Sequence, residues 1–414
     1  MKHENTRARL LSLLTEACEL EHGLACCYLF AAFSIKRDIS EGISWEEQQN
    51  SRRWASQIYH VAAQEMLHLA QAWNLLTAIG GSPYYFRPGF PCPAKHYPFN
   101  IALSLRRFDS VTMNQFVLFE MPEDMAAPNP DVKPPPGSLW PIDETFAYNS
   151  VGELYGECLE IIENVDMKTL FIGKDDRQIG EKLIDFPEIV NVHDVESARE
   201  AIDMITEQGE GNPSNHEDSH YGIFKAIADE ISVLSEDGAA FSRPVGPNPF
   251  IPFRRDQMTV VDPKVAAQIG STKVTDEVAI ASMDLFDDVY VSMLQAMAYV
   301  FCNATTDPDT LKLFAESSLQ LMITVIKPLG EAVCLLPSGV EGKNAGPSFS
   351  LSRHTSLPPR PEAAKLVYHE RLKQTAAHAE KLLNRIGSYP QLAQDQLRSA
   401  SVNLKRISAG QLGR

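Results

Sequence analysis

Apolar residues recur at three- and four-residue steps from about Arg7 to Lys36, through Leu10, Leu14, Ala17, Leu24 and Ala32, which predicts a long helix with one buried face. Glu21 interrupts that stripe, and Tyr28 follows it by seven residues on the same face. A second helical pattern runs from about Glu46 to Ile79, and the turn-rich stretch from Arg37 to Ser44 joins the two. With Ile43 as the midpoint of this hairpin, Glu21 lies 22 residues before it and Glu65 lies 22 residues after it. Two antiparallel helices of equal rise therefore bring these carboxylates level across their interface. His68 follows Glu65 by three, so the two side chains stand about 60° apart around the axis and ~4.5 Å apart along it, within reach of one ion.

The pattern then breaks at Gly80-Gly81-Ser82-Pro83. From Pro83 to Pro98 the chain holds five prolines and five aromatics, Tyr84, Tyr85, Phe86, Phe90 and Tyr97, and reads as an ordered loop. A short amphipathic helix is predicted from Thr112 to Glu120. Seven prolines between Met121 and Pro141 then give irregular or polyproline backbone. Loops of this length are expected to cover one side of the helices, with Tyr84 to Phe90 and Trp140 as walls of a substrate pocket. Ser150 is a suitable N-cap for a third helix, with Glu153 at the capping-box position. Phe171 to Val192 reads as loop with room for an edge strand, and a fourth helix spans about Val195 to Gln208. His220 opens a further helix to about Val233, and Gly238 to Phe253 is the expected domain seam. Helices follow at about Thr275–Phe301, Asp309–Leu335, Pro361–Ile386 and Gln391–Ser408. The fold class is all-α: a four-helix bundle with long proline-rich loops in residues 1–240, and a helical extension in 241–414 packed on it.

Composition narrows the function classes. The chain has 414 residues and a net charge of −17, from 54 acidic and 37 basic residues, a sign that argues against nucleic acid or an anionic membrane as partner. No run of about 18 uninterrupted apolar residues suggests a membrane span, and the start of the chain lacks the apolar core of a signal peptide. The seven cysteines have no paired spacing. Cys26 and Cys27 are adjacent in the first helix, and Cys18, Cys158, Cys302 and Cys334 read as small core residues in a reducing cytoplasm.

A dinuclear site in a four-helix bundle needs ligands from its second helix pair as well. Glu153, Glu157 and Glu160 share one face of the third helix, and spacing does not choose among them. The fourth helix offers Glu207 and Glu210 with no histidine three residues on, and His220 is the nearest alternative. His216, Glu217 and Asp218 read as solvated. Tyr28 is a candidate catalytic phenol, as a hydrogen-bond partner of the site or a redox-active group, against the plainer reading of a packed tyrosine.

Several segments together resemble the ferritin-like domain of the iminophenylpyruvate dimer synthase family. They are Glu19-Leu20-Glu21-His22 with Tyr28, Gln64-Glu65-Met66-Leu67-His68, Ser150-Val151-Gly152-Glu153-Leu154-Tyr155, Glu207-Gln208-Gly209-Glu210-Gly211 and Ser219-His220-Tyr221, with a weaker likeness at Ala345-Gly346-Pro347-Ser348-Phe349. The likeness covers the first 240 residues best. It implies a ferritin-like bundle in which Glu153 is the carboxylate of the third helix. Glu207 and His220 would then stand in for the Glu-x-x-His of the fourth, completing a set of Glu21, Glu65, His68, Glu153, Glu207 and His220. Such a donor set suits two iron ions, with manganese or zinc next. The implied activity is a dioxygen-dependent oxidation of a small amino-acid-derived molecule, imines above all, in secondary metabolism. An iron-handling ferroxidase and a non-catalytic helical metal binder are the alternatives. The expected partners are the substrate and dioxygen, and assembly of identical chains stays open.

Overall fold

The computed structural model describes residues 6–92, 102–122, 125, 148, 150–165, 167–173, 177–180, 188–209, 216–235, 238–252, 270–303, 307–351 and 355–410. Helix α1 (Arg7–Ser34) starts at Thr6, whose hydroxyl accepts from the Arg9 amide. A 3-10 turn at Ile39–Glu41 leads to α2 (Trp45–Ala78), which opens with a full capping box between Ser44 and Glu47. The two long helices pack as the expected hairpin. Beyond it come α3 (Ser110–Phe119), α4 (Val151–Asn164), the single turn α5 (Met167–Leu170), α6 (Val195–Gly209) and α7 (His220–Leu234). The α4–α6 pair lies on the α1–α2 hairpin to complete a four-helix arrangement, and the α3–α7 pair flanks α2. Tyr28 of α1 packs edge-on against Phe116 of α3 and beside Phe224 of α7, tying that pair to the hairpin.

Amphipathic α4 and α6 form because their apolar residues fall on one stripe: Leu154, Cys158, Ile161 and Ile162 in one, Ala198, Ala201, Ile202 and Ile205 in the other. The loop between them contains no strand among its described residues. Side-chain amides of α2 satisfy its backbone instead: Asn74 donates to the Ile179 and Val190 carbonyls and Gln71 to that of Val190. Buried backbone groups need a partner, and here helix side chains take the role of an adjoining strand.

The C-terminal half consists of α8 (Glu277–Cys302), α9 (Pro308–Leu321), α10 (Lys327–Val333), α11 (Pro361–Leu383) and α12 (Gln391–Gly410). The helix expected at Asp309–Leu335 is interrupted by a π-helical turn at Met322–Ile326, so it comes as two pieces. Helix α8 has the length and hydropathy of a membrane span, but 83% of its apolar window is buried among the other helices, as in a core helix. The stretch read as a domain seam runs along the end of α1: Arg243 donates to the Phe33 carbonyl at 2.6 Å and pairs with both Glu41 oxygens at 2.6 and 3.0 Å. Phe33 stacks on Phe349 and meets Phe286 edge-on, and Tyr59 of α2 donates to Glu331 of α10 at 3.0 Å.

Two expectations change here. Cys302 is exposed, at the end of α8, while the other six cysteines are buried. Tyr84 to Phe90, expected as walls of a substrate pocket, brace α1 and α2 against the C-terminal half. The Tyr84 carbonyl accepts from Trp73, the Tyr85 hydroxyl donates to the Thr355 carbonyl, and buried Arg87 donates to the Phe349 carbonyl while covering the Phe90 ring. Trp140 and most of Met121–Pro141 lie outside the described residues.

Candidate metal centre

Glu21 on α1 and Glu65 and His68 on α2 line one small cavity in the bundle, and His220, at the start of α7, stands beside it against Glu65. A residue outside the expected set joins them: Glu120, the C-cap of α3. All five are at most 4% exposed. The cavity of about 20 Å³ is completed by Leu24, Val151, Gly152, Tyr155, Ile205, Thr206 and Gly209.

The geometry divides into two halves that share Glu65. On one side His68 Nδ1 lies 3.7 Å from Glu21 Oε2 and 3.6 Å from Glu65 Oε2. On the other, His220 Nδ1 lies 2.8 Å from Glu65 Oε1 and 3.6 Å from Glu120 Oε2. The two imidazole rings stack with centroids 5.3 Å apart. Each outer carboxylate is held by a tyrosine: Tyr155 donates to Glu21 Oε1 at 2.7 Å, and Tyr28 donates to Glu120 Oε1. Tyr28, the candidate catalytic phenol, therefore touches a carboxylate of the site and does not itself line the cavity.

Helical phase explains which expected residues stay outside. Val151, Gly152 and Tyr155 face the cavity from α4, and Glu153 lies about 200° around the axis from both Val151 and Tyr155. Its backbone amide is engaged by the Ser150 hydroxyl as the helix cap. Glu157, the alternative on that helix, pairs with Arg9. On α6 the cavity-facing residues are Ile205, Thr206 and Gly209, which turns Glu207 away to an exposed groove with Glu196, Arg199, Glu200 and Asp203. Neither Glu153 nor Glu207 is part of the cluster, and Glu210 lies outside the described residues. Glu120 carried a signal of the same kind as Glu21, an acidic residue closing an otherwise apolar run, Phe116-Val117-Leu118-Phe119. Spacing passes over it because it belongs to a short helix outside the four that the bundle pattern counts. Gly209 leaves room for it, since a Cβ there would stand 3.3 Å from Glu120 Oε2.

Charge in the cluster is finely divided. Burial, reinforced by the Glu65 charge, lifts the Glu21 carboxyl to about 8 against the pull of His68. Glu120 is likewise raised by burial and by Glu65. Burial works to raise Glu65 too, but the His220 and His68 imidazoles outweigh it and hold the group below the usual carboxylate range. Burial disfavours the imidazolium forms, yet Glu21 and Glu65 lift His68 to about 10, and Glu65 with Glu120 lifts His220 to about 9.

The donor set fits a metal. Glu65 has one oxygen 2.8 Å from His220 Nδ1 and the other 3.6 Å from His68 Nδ1, so two imidazole nitrogens converge on one buried carboxylate, an arrangement that a cation at the same point would satisfy. Two atoms bonded at ~2.1 Å to one ion can stand no more than ~4.2 Å apart. All four separations given above meet that limit, and ligand atoms of Glu65, His68 and His220 lie within 4.8 Å of one another. Carboxylates with imidazoles suit iron, manganese or zinc.

Known proteins similar to this chain give its family. The chain is 29% identical to dichlorochromopyrrolate synthase from Lentzea aerocolonigenes, over 91% of this chain and 39% of the relative. It is 25% identical to 2-imino-3-(indol-3-yl)propanoate dimerase from Chromobacterium violaceum, over 83% of this chain and 34% of the relative. It thus spans between a third and two fifths of the length of these relatives, both of the dimer-synthase group that the sequence resembles. The likeness reaches well beyond residue 240, farther than the motifs alone suggested. A ferritin-like protein from Caulobacter vibrioides is similar at a TM-score of 0.40 and 23% identity, covering 54% of this chain and 72% of that one. The ferritin-like family model matches residues 14–229, a stretch that contains all five residues of the Glu/His cluster, and the chain belongs to the ferritin-like family.

Proposed function

We propose that this chain is a dinuclear, metal-dependent oxidase of secondary metabolism that holds two iron ions and uses dioxygen to oxidise a small amino-acid-derived imine or amine. The observation that carries this reading is the buried cluster of Glu21, Glu65, His68, Glu120 and His220, four of which line one cavity, with each Glu65 oxygen turned to an imidazole. Burial pushes the Glu21 and Glu120 carboxyls up, and bound cations would offset that cost of gathering three carboxylates in one place. The names of the relatives, a synthase and an imine dimerase, support a biosynthetic role and an imine substrate.

In this reading Glu21, Glu65, His68, Glu120 and His220 would together hold the two ions, with Glu65 common to both halves of the cluster. The bound ions supply the redox chemistry with dioxygen that side chains alone lack. Tyr155 and Tyr28 keep the outer carboxylates turned inward through hydrogen bonds to their far oxygens. Leu24, Val151 and Ile205 give the cavity an apolar wall that limits water, and Gly152 and Gly209 leave it open where side chains would fill it.

Metal analysis of protein from iron-supplemented cells, followed by oxygen uptake, tests the proposal. Reduced, iron-loaded protein is expected to consume oxygen faster with an aromatic imino acid present than without it, and Glu65→Ala protein is not. Accumulation of many ferric ions per chain, with no organic product from any candidate substrate, would instead favour iron storage.

A further inference from the structure

The two histidines of the cluster are held in the same way from behind. His68 Nε2 lies 3.1 Å from Gln208 Oε1, and His220 Nε2 lies 3.2 Å from Gln64 Oε1. In both rings Nδ1 is the atom turned toward the carboxylates. The two contacts also cross between helices, from α6 to α2 in one case and from α2 to α7 in the other. An imidazole that offers the Nδ1 lone pair to a cation carries its proton on Nε2, and in a buried site that N–H needs an acceptor. A carboxamide oxygen meets the need at both positions.

We propose that Gln64 and Gln208 are a matched pair of positioning residues, which fix both imidazoles with Nδ1 toward the metals and, by their neutrality, keep the centre strongly oxidising. This rests on the metal reading above. Outer partners of metal-bound histidines set ring orientation and tautomer, and a carboxylate partner draws the Nε2 proton and makes the imidazole a stronger donor to the metal. Stronger donation favours the higher oxidation state. A neutral amide accepts the same hydrogen bond without adding that charge. The point matters here because the cluster has three carboxylates, one charge fewer than two divalent ions carry.

The test compares the full chain with Gln64→Leu, Gln208→Leu, Gln64→Glu and Gln208→Glu, each loaded anaerobically with ferrous iron. Ferrous affinity, the iron reduction potential and thermal stability are measured for each. The leucine variants are expected to bind iron about 10- to 100-fold more weakly with helix content retained, because the rings lose their anchor. The glutamate variants, nearly isosteric with wild type, are expected to keep its affinity within a few-fold and to show a lower potential. Packing alone would not produce that signature. Wild-type affinity in both leucine variants, or an unchanged potential in both glutamate variants, overturns the proposal. Parallel loss of iron and thermal stability in leucine and glutamate variants alike overturns it too, in favour of a purely structural role. If wild-type protein binds no iron and Glu65→Ala changes nothing, the metal reading itself falls, a result distinct from a centre that loads normally and ignores its glutamines.

Discussion

Glu65 differs from the other acidic residues of the cavity in having no tyrosine partner: its two oxygens face His220 and His68, while Glu21 and Glu120 each have one oxygen held by a phenol. It is the carboxylate common to both halves of the cluster. Glu65→Ala is therefore expected to abolish binding of both ions, whereas Glu120→Ala should cost chiefly one, read as metal per chain by elemental analysis. Glu153→Ala and Glu207→Ala should retain wild-type metal content, since neither faces the cavity. Loss of metal in either would mean that the helical phase of α4 or α6 has been misjudged. The titrating groups add a pH dependence. His68 and His220, raised to about 10 and about 9, hold protons at neutral pH in the metal-free protein, and Glu21, raised to about 8, does so as well. An incoming ion has to displace those protons, so affinity should rise with pH between 6 and 8, by about tenfold per pH unit for each proton released. Competition with a chelator of known pH dependence measures this. A flat profile would show that the imidazoles are already neutral.

At the scale of elements, the α1–α2 hairpin is the part that placed residues correctly from spacing alone. Both helices are regular, so counting outward from the turn fixes axial height, and the 3.6-residue period fixes which side chains face the partner. The short connection is itself locked. Arg243, 3% exposed, lies beside the end of α1 and donates to both oxygens of Glu41 and to the carbonyl of Phe33. Arg243→Ala leaves the largely buried Glu41 carboxylate without its cation, and is expected to destabilise the fold by about 3–5 kcal/mol. Chemical denaturation would show this, and a change below about 1 kcal/mol would mean that Glu41 relaxes into solvent. Helix α10 meets α1 so closely that a Cβ on Gly330 would stand 2.5 Å from the Phe33 ring, so a small residue is required at that crossing.

For the whole molecule, the question is how far the bundle depends on the residues after 240. Phe33 and Tyr59 of the hairpin find partners in Phe286, Phe349 and Glu331, and the buried His22 ring is hydrogen-bonded to Tyr290. Removing residues 241–414 would leave this aromatic face and several buried polar groups facing water. A fragment of residues 1–240 is expected to be poorly soluble or expanded, with weak near-ultraviolet circular dichroism, and to hold less iron than the full chain. A monodisperse fragment with wild-type iron content would show instead that the bundle stands by itself and that the C-terminal helices serve another purpose.

Local regularity is what the sequence determined without help. Periodicity and capping residues located the helices to within a few positions, and a hairpin between two regular helices brought Glu21, Glu65 and His68 to one level. The likeness to relatives singled out His220, and the structure brings it to the same point. The remainder depended on rotations and approaches that no local pattern encodes. Whether Glu153 or Tyr155, and Glu207 or Thr206, faces inward depends on how α4 and α6 are turned about their axes once their apolar stripes are buried, and near the ends of those short helices one step of 100° is enough to exchange a ligand for a surface residue. Glu120 enters the site from outside the bundle because α3 packs on α7 and carries its C-terminus to the cavity mouth, a long-range pairing settled by the contacts of Tyr28, Phe116 and Phe224. The sequence set the helices and the chemistry available to them; the tertiary packing chose which carboxylates share the cavity.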